Sequence, residues 1–329
     1  MAKKTTPTRR RPVKRTSTRK KKTARAPWKS AVRTFRQLFT VAVIILISFF
    51  GFLYLYDNYE LGQHKKGHTG SGQVAKDDFH FPDEQPARVT KPTAGSYQLA
   101  LDDEIPRLLV KRPEQIIRHE GYTVSYNSTY KIANWVAYEL TPEEAKSKKE
   151  ERSNKFVPDP DVKGATALNE DYTRTGYDRG HLAPAGDMKW SAKAMRESFY
   201  FSNICPQAPG LNRGIWKTLE EQCRIWAIHN GPLLIVTGPV ITGDMKVIGK
   251  NRVGVPPSFY KVACFASEDG IHGIGFIFEN REYKKVSLQS MAIPIDSVEK
   301  VTGIDFFYSL PDEIENRMES KIEWQYWRF

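Results

Sequence analysis

The sequence predicts an α+β fold: a central, mostly antiparallel sheet flanked by helices, preceded by one transmembrane helix. Three observations carry this expectation. Strand-like and helix-like segments do not alternate regularly over residues 97–329, which argues against a doubly wound parallel sheet. Two aromatic and β-branched runs, 122–126 and 133–140, flank the turn-like Asn127 and Ser128 and read as a hairpin. A 19-residue apolar run without a single charge, 38–56, stands ahead of both.

The elements follow in chain order. The formal net charge of +12 suggests a basic nucleic-acid binder, but residues 1–36 hold 15 of the 50 Lys and Arg and no Asp or Glu. The remainder carries 35 basic against 38 acidic residues, so any basic groove in the folded part must be local. Residues 1–37 lack an apolar period and are predicted to be a disordered tail. Residues 38–56 span about 28 Å as a helix, close to the hydrocarbon thickness of a bilayer. The run has no polar stripe, which separates it from a buried soluble helix. A cleaved signal peptide fits poorly, because Tyr54, Leu55 and Tyr56 stand where small residues would mark cleavage. The expectation is an uncleaved signal anchor with the basic tail cytoplasmic and the rest of the chain extracytoplasmic. A bacterial envelope is favoured; the Arg-rich, acid-poor tail also suits a mitochondrial inner-membrane protein. Residues 57–96 are polar and rich in Gly and Pro, and read as a linker.

Within 97–329, further strands are expected at 233–238, 259–265 and 274–278. A short helix is expected at 191–198. A longer one at 216–228 places Trp216, Leu219, Cys223 and Trp226 at three- and four-residue steps. A C-terminal helix is expected at 311–322, with Pro311 suited to its first turn. Cys205, Cys223 and Cys264 allow at most one disulfide, show no zinc spacing, and read as small buried hydrophobes.

The chemistry concentrates in Asp178, Arg179, Gly180 and His181. An imidazole can take a proton from water at neutral pH, and a neighbouring guanidinium can hold a phosphate oxygen at two points. Asn203, Asn212, Glu220 and Arg224 follow. Glu220 and Arg224 lie one i,i+4 step apart on a helix face. Alone, that pair reads better as an exposed salt bridge, and Asn212 equally well as a helix cap. Together with the histidine they supply a base, an arginine, two amides and a carboxylate, the parts for metal-assisted phosphodiester cleavage.

These residues carry a family resemblance. The stretch 178–184, Asn203 with Pro206 and Gln207, Asn212, and Glu220 with Arg224 resemble the DNA/RNA non-specific endonucleases of the ββα-metal, or His-Me finger, group. The stretches 134–138, 257–261 and 298–307 fit the same pattern, so the likeness covers about residues 113–310. The resemblance implies a ββα-metal unit with His181 as general base and Asn212 as the direct ligand of Mg²⁺. Glu220 would hold the ion through its waters, other divalent ions such as Mn²⁺ remaining open. It further implies that Asn203 and Asp178 orient the site, that Arg152 contacts the phosphate, and that Arg179 and Arg224 serve phosphate binding or local architecture. The implied substrates are DNA and RNA; the apolar run 38–56 supplies the expected membrane contact, and a homodimer is left open. The competing expectation is an envelope protein that binds nucleic acid without cutting it, as in DNA uptake.

Overall fold

The computed structural model describes Leu99 and residues 104–329. The expected tail, membrane span and linker all lie outside the described residues. Among the described residues no helix is long and apolar enough to cross a membrane.

The chain begins with β1 (Arg107–Leu108), β2 (Gln115–Arg118), β3 (Thr123–Asn127) and β4 (Ile132–Leu140), the last two forming the expected hairpin. Helix α1 (Pro142–Lys146) follows at once because Thr141 and Glu144 close a reciprocal capping box and Pro142 pre-sets the first turn. Next come α2 (Asn169–Tyr172), β5 (Asp178–His181), α3 (Ala192–Glu197), β6 (Ile204–Gln207), α4 (Pro209–Asn212) and the 16-residue α5 (Ile215–Asn230). Helix α3 starts where Ser191 Oγ accepts from the amides of Lys193 and Ala194. The remaining elements are β7 (Leu233–Val240), β8 (Lys246–Ile248), β9 (Val253–Val255), β10 (Ser258–Ser267), β11 (Gly270–Glu279), β12 (Ala292–Ile293), α6 (Ile295–Thr302), β13 (Ile304–Asp305) and α7 (Asp312–Glu319).

Seven strands form one sheet in the order β12-β11-β10-β7-β4-β3-β2, and every pairing is antiparallel. Its central strands are buried on both faces, which is why they appear in the sequence as nearly unbroken apolar runs. Alternation then sorts their side chains. Leu233, Ile235, Phe259 and Ala263 join a core with Trp216, Leu219 and Trp226 of α5. Leu234, Val236, Tyr260 and Val262 join a second core with Ile295, Val298 and Met318 of α6 and α7. The sheet is therefore sandwiched between helices. Gly273 and Gly275 in β11 make the second contact close: a Cβ there would lie 2.7 Å from Ile295 Cδ1 and 2.7 Å from Val298 Cγ2, respectively.

The C-terminal helix differs from expectation. Pro311 is its N-cap, outside the first turn, and the helix stops at Ser320. The chain must leave the helix there because its last residues pack on α5. Arg328 O accepts from Gln222 Nε2 and Trp226 Nε1, and the Trp327 and Trp226 rings meet at 4.9 Å. All three cysteines are buried and none forms a disulfide.

Candidate active site

Strands β5 and β6 pair as a separate two-stranded ribbon in the register Asp178↔Gln207 to His181↔Ile204. The ribbon leads through α4 into α5, so the histidine strand, its partner and the long helix form a ββα unit. Gly180 is required by close approach: a Cβ there would lie 2.0 Å from Gln207 Oε1. Trp216 Nε1 donates to the His181 carbonyl at 3.3 Å and ties the ribbon to α5.

His181 is only 6% exposed. Its ring packs edge-on against Phe199, centroids 4.8 Å apart, and 5.5 Å from Phe156. Nε2 is buried with no hydrogen-bond partner. Burial, helped by the charge of Arg152, pushes the imidazole down to about 3, so it is neutral at physiological pH. The ring lines a cleft of about 450 Å³ with Arg152, Arg179, Asn212, Arg213, Lys217, Glu220 and Arg224.

Asp178 organises the opposite wall. Its Oδ2 accepts from Asn212 Nδ2 at 2.9 Å and from Arg213 Nε at 2.8 Å, and its Oδ1 accepts from Arg213 Nη2 at 2.6 Å. Burial alone would raise this carboxyl; the bonds from Arg213 and Asn212 outweigh it and hold the group below the usual carboxylate range. The Asn212 amide nitrogen is thereby committed, which leaves its carbonyl oxygen as the atom able to ligate a cation. Asn212 is the last residue of α4, and Gly214 is the N-cap of α5, so Asn212 does not cap the long helix.

Glu220 and Arg224 share a face of α5 but form no salt bridge with each other. Arg224 Nη1 instead donates to Asp187 Oδ1 at 2.6 Å, and Tyr138 Oη donates to Asp187 Oδ2 at 2.9 Å. Gly186 leaves room for this: a Cβ there would stand 2.8 Å from Arg224 Nη1. The Glu220 carboxylate makes no hydrogen bond or ion pair among the described residues. Burial pushes it up to about 7 despite the nearby charge of Lys261. Arg152 reaches the cleft, with its guanidinium 5.1 Å over the Phe199 ring. Arg179 stacks 4.6 Å over Phe156 and donates to Asn169 Oδ1 at 2.6 Å. Asn203 does not line the cleft. It is buried behind His181, accepting from Ala183 N at 2.9 Å and donating to the Ala183 and Ser198 carbonyls, both at 2.8 Å.

Sequence reasoning missed Asp187, Arg213, Lys217 and Lys261. Lys261 is 1% exposed in β10, and its Nζ lies 3.4 Å from Leu182 O and 5.1 Å over the Trp216 ring. Desolvation lowers its affinity for a proton, although the nearby Cys223, Glu220 and Asp187 oppose this. A lysine interrupting the apolar run at 259–265 was the available signal.

The donor set fits a hard divalent cation. An amide oxygen and a free carboxylate, both facing one cleft, suit an ion such as Mg²⁺ that keeps most of its water. Two other groupings, His119 with Asp159 and Asp161, and Asp296 with Glu299 and Glu319, contain no residue of this cleft.

A buried neutral imidazole, an amide, a carboxylate and several guanidinium groups thus line one cleft, a set of groups suited to a phosphodiester. Residues 107–313 match the DNA/RNA non-specific endonuclease family, and the chain belongs to that family. It is similar to mouse mitochondrial nuclease EXOG, 31% identical over 257 residues covering 73% of this chain and 69% of the relative. It is 34% identical to human mitochondrial endonuclease G over 205 residues, covering 58% of this chain and 69% of the relative. A solved complex of EndoG with EndoGI superposes with a TM-score of 0.58 at 30% identity, covering 61% of this chain and 89% of that one. The protein is a nuclease, a hydrolase of nucleic acid.

Proposed function

We propose that this chain is a membrane-anchored, Mg²⁺-dependent endonuclease that cuts DNA and RNA without reading base or sugar. The observation that carries the reading is the unpartnered Nε2 of His181, which shares one cleft with Asn212 and the uncommitted carboxylate of Glu220. His181 takes a proton at Nε2 from the attacking water. Phe156 and Phe199 keep the ring dry and fixed. Asn212, through the carbonyl oxygen that Asp178 orients, would hold the cation directly, with Glu220 supporting it from the same cleft. A bound Mg²⁺ supplies charge stabilisation for the departing 3′ oxygen. Arg152 and Arg179 bind the phosphate. Arg224, tied to Asp187, and Asn203, tied to Ala183, hold the walls in place. Contacts of this type go to the backbone, so little sequence preference follows.

Residues 38–56 are the proposed anchor, with the nuclease domain across the membrane from the basic tail. A bacterial envelope and a mitochondrial inner membrane both meet that arrangement, and the mitochondrial relatives support the second.

The test is digestion of matched DNA and RNA by the detergent-solubilised full chain. EDTA abolishes cutting of both and Mg²⁺ restores it; hydrolysis that persists in EDTA contradicts the reading. Asp178→Ala frees the Asn212 amide and raises the half-saturating Mg²⁺ concentration by roughly 10–100-fold, as expected for loss of a ligand's support. An unchanged Mg²⁺ requirement in that variant rejects the role given to Asp178.

A further inference from the structure

Three carboxylates meet on the sheet face opposite the cleft. Asp296 and Glu299 stand at i and i+3 on α6 and share a face. Glu319 is the last residue of α7, where unpaired helix carbonyls already disfavour negative charge. One oxygen from each of the three lies within 4.8 Å of the others. Glu299 Oε1 is fixed by accepting from Phe306 N at 2.8 Å. Glu319 is 4% exposed, and its Oε1 is buried with no hydrogen-bond partner. Such an atom pays its full desolvation cost unless something binds it.

No lysine or arginine neutralises these three groups among the described residues. Arg107 pairs with Asp305, itself a further acid at the cluster's edge. Glu315 adds another. The backbone allows no retreat, since Gly273 seats Ile295 and Met318 directly on β11.

We infer that Asp296, Glu299 and Glu319 form a second, structural cation site between α6 and α7, which takes a divalent ion of the Ca²⁺ type. Oxygens spread over such a distance suit an ion with bonds of roughly 2.3–2.6 Å and tolerant geometry; Mg²⁺ demands shorter bonds and a regular octahedron. The site is separate from the catalytic one in position and in donors: three carboxylates here, an amide and one carboxylate there. The ion neutralises the three carboxylates and locks the two helices together over β11.

The experiment is a calorimetric Ca²⁺ titration of the full chain in detergent at neutral pH, in an Asn212→Ala background that disables the catalytic ligand. The expected result is roughly one Ca²⁺ per chain and an unfolding midpoint that rises with Ca²⁺. Adding Glu319→Gln removes the binding heat and the midpoint shift. Its cation-free midpoint is no lower, because a repulsion has been relieved. Asp296→Asn, at a half-buried position, weakens binding by roughly 10-fold and gives an independent reading should the Gln variant misfold. Absence of Ca²⁺ binding in the Asn212→Ala chain, or binding untouched by both added substitutions, overturns the proposal and leaves protons as the neutralising species.

Discussion

Replacing His181 with Ala lowers plasmid cleavage by about 10²–10⁴-fold, the loss expected when a general base is removed. The fold survives, because the ring contacts Phe156 and Phe199 by its edges and faces and makes no side-chain hydrogen bond at Nε2. Circular dichroism and a urea midpoint at neutral pH check this, and near-full activity in the variant rejects the assignment of the base.

The same residue sets a pH dependence of stability. Its pKa in the folded chain, about 3, lies below the ordinary histidine value near 6.5. Above pH 6.5 neither state carries the proton. As the pH falls from there towards 3, the unfolded chain takes up a proton that the folded chain refuses, so stability drops by about 1.4 kcal/mol per pH unit from this group. The wild type therefore loses stability between pH 7 and pH 5 that His181→Ala keeps. Equal losses in the two chains, from urea midpoints at both pH values, count against a buried neutral imidazole. Substrate works the other way. A phosphate bound beside Arg152 cancels part of that guanidinium's push on the ring, so the acidic limb of kcat lies at higher pH than that of kcat/KM.

The largest loss of stability is expected from Asp187→Ala, about 3–5 kcal/mol by the cost of breaking a buried pair on one side. Asp187 is fully buried and receives Arg224 and Tyr138. Burial raises its pKa, and the charges of Arg224 and Lys261 oppose that rise. Removing the carboxylate leaves two cations and a hydroxyl in the interior with Glu220 as the nearest acid. Activity falls as well, since Glu220 is then drawn to Arg224 and Lys261 and away from the cleft. A second replacement, Lys261→Met, recovers part of the stability by removing one of the stranded charges. A urea midpoint within experimental error of wild type for Asp187→Ala shows that the Asp187–Arg224 pair contributes nothing net.

The sequence made the centre of the fold readable because β4, β7 and β10 are buried on both faces and write themselves as apolar runs. The hairpin and α5 were legible for related reasons: a turn between two such runs, and apolar residues at helical steps. Strands β2 and β8 were not, since three or four residues with mixed burial carry no period, and the three buried residues of β9 are too short a run to show one. Helix α7 was expected too long because its end is set by contacts between residues 327–328 and α5, which no local pattern records.

The site divided in the same way. Asp178, Arg179 and His181 lie in one strand, and Asn212, Glu220 and Arg224 follow within a short stretch, so the sequence could present them together. Arg224 shows the limit. Its i,i+4 spacing from Glu220 suggested a partner, yet Asp187, 37 residues away, is the one it takes. Lys261 reaches Leu182 across 79 residues. Pairings made by the tertiary fold leave at most a misplaced charge in an apolar run as their trace.

The most direct measurement is the initial rate of DNA cleavage by the full-length chain as a function of Mg²⁺, for wild type, His181→Ala and Asn212→Ala in parallel. A base and a cation ligand acting on one phosphate should separate on the two axes: His181→Ala lowers the maximum rate and leaves half-saturation where it was, while Asn212→Ala moves half-saturation to higher Mg²⁺. His181→Ala cutting at the wild-type maximum, or Asn212→Ala saturating at the wild-type Mg²⁺ concentration, contradicts the arrangement.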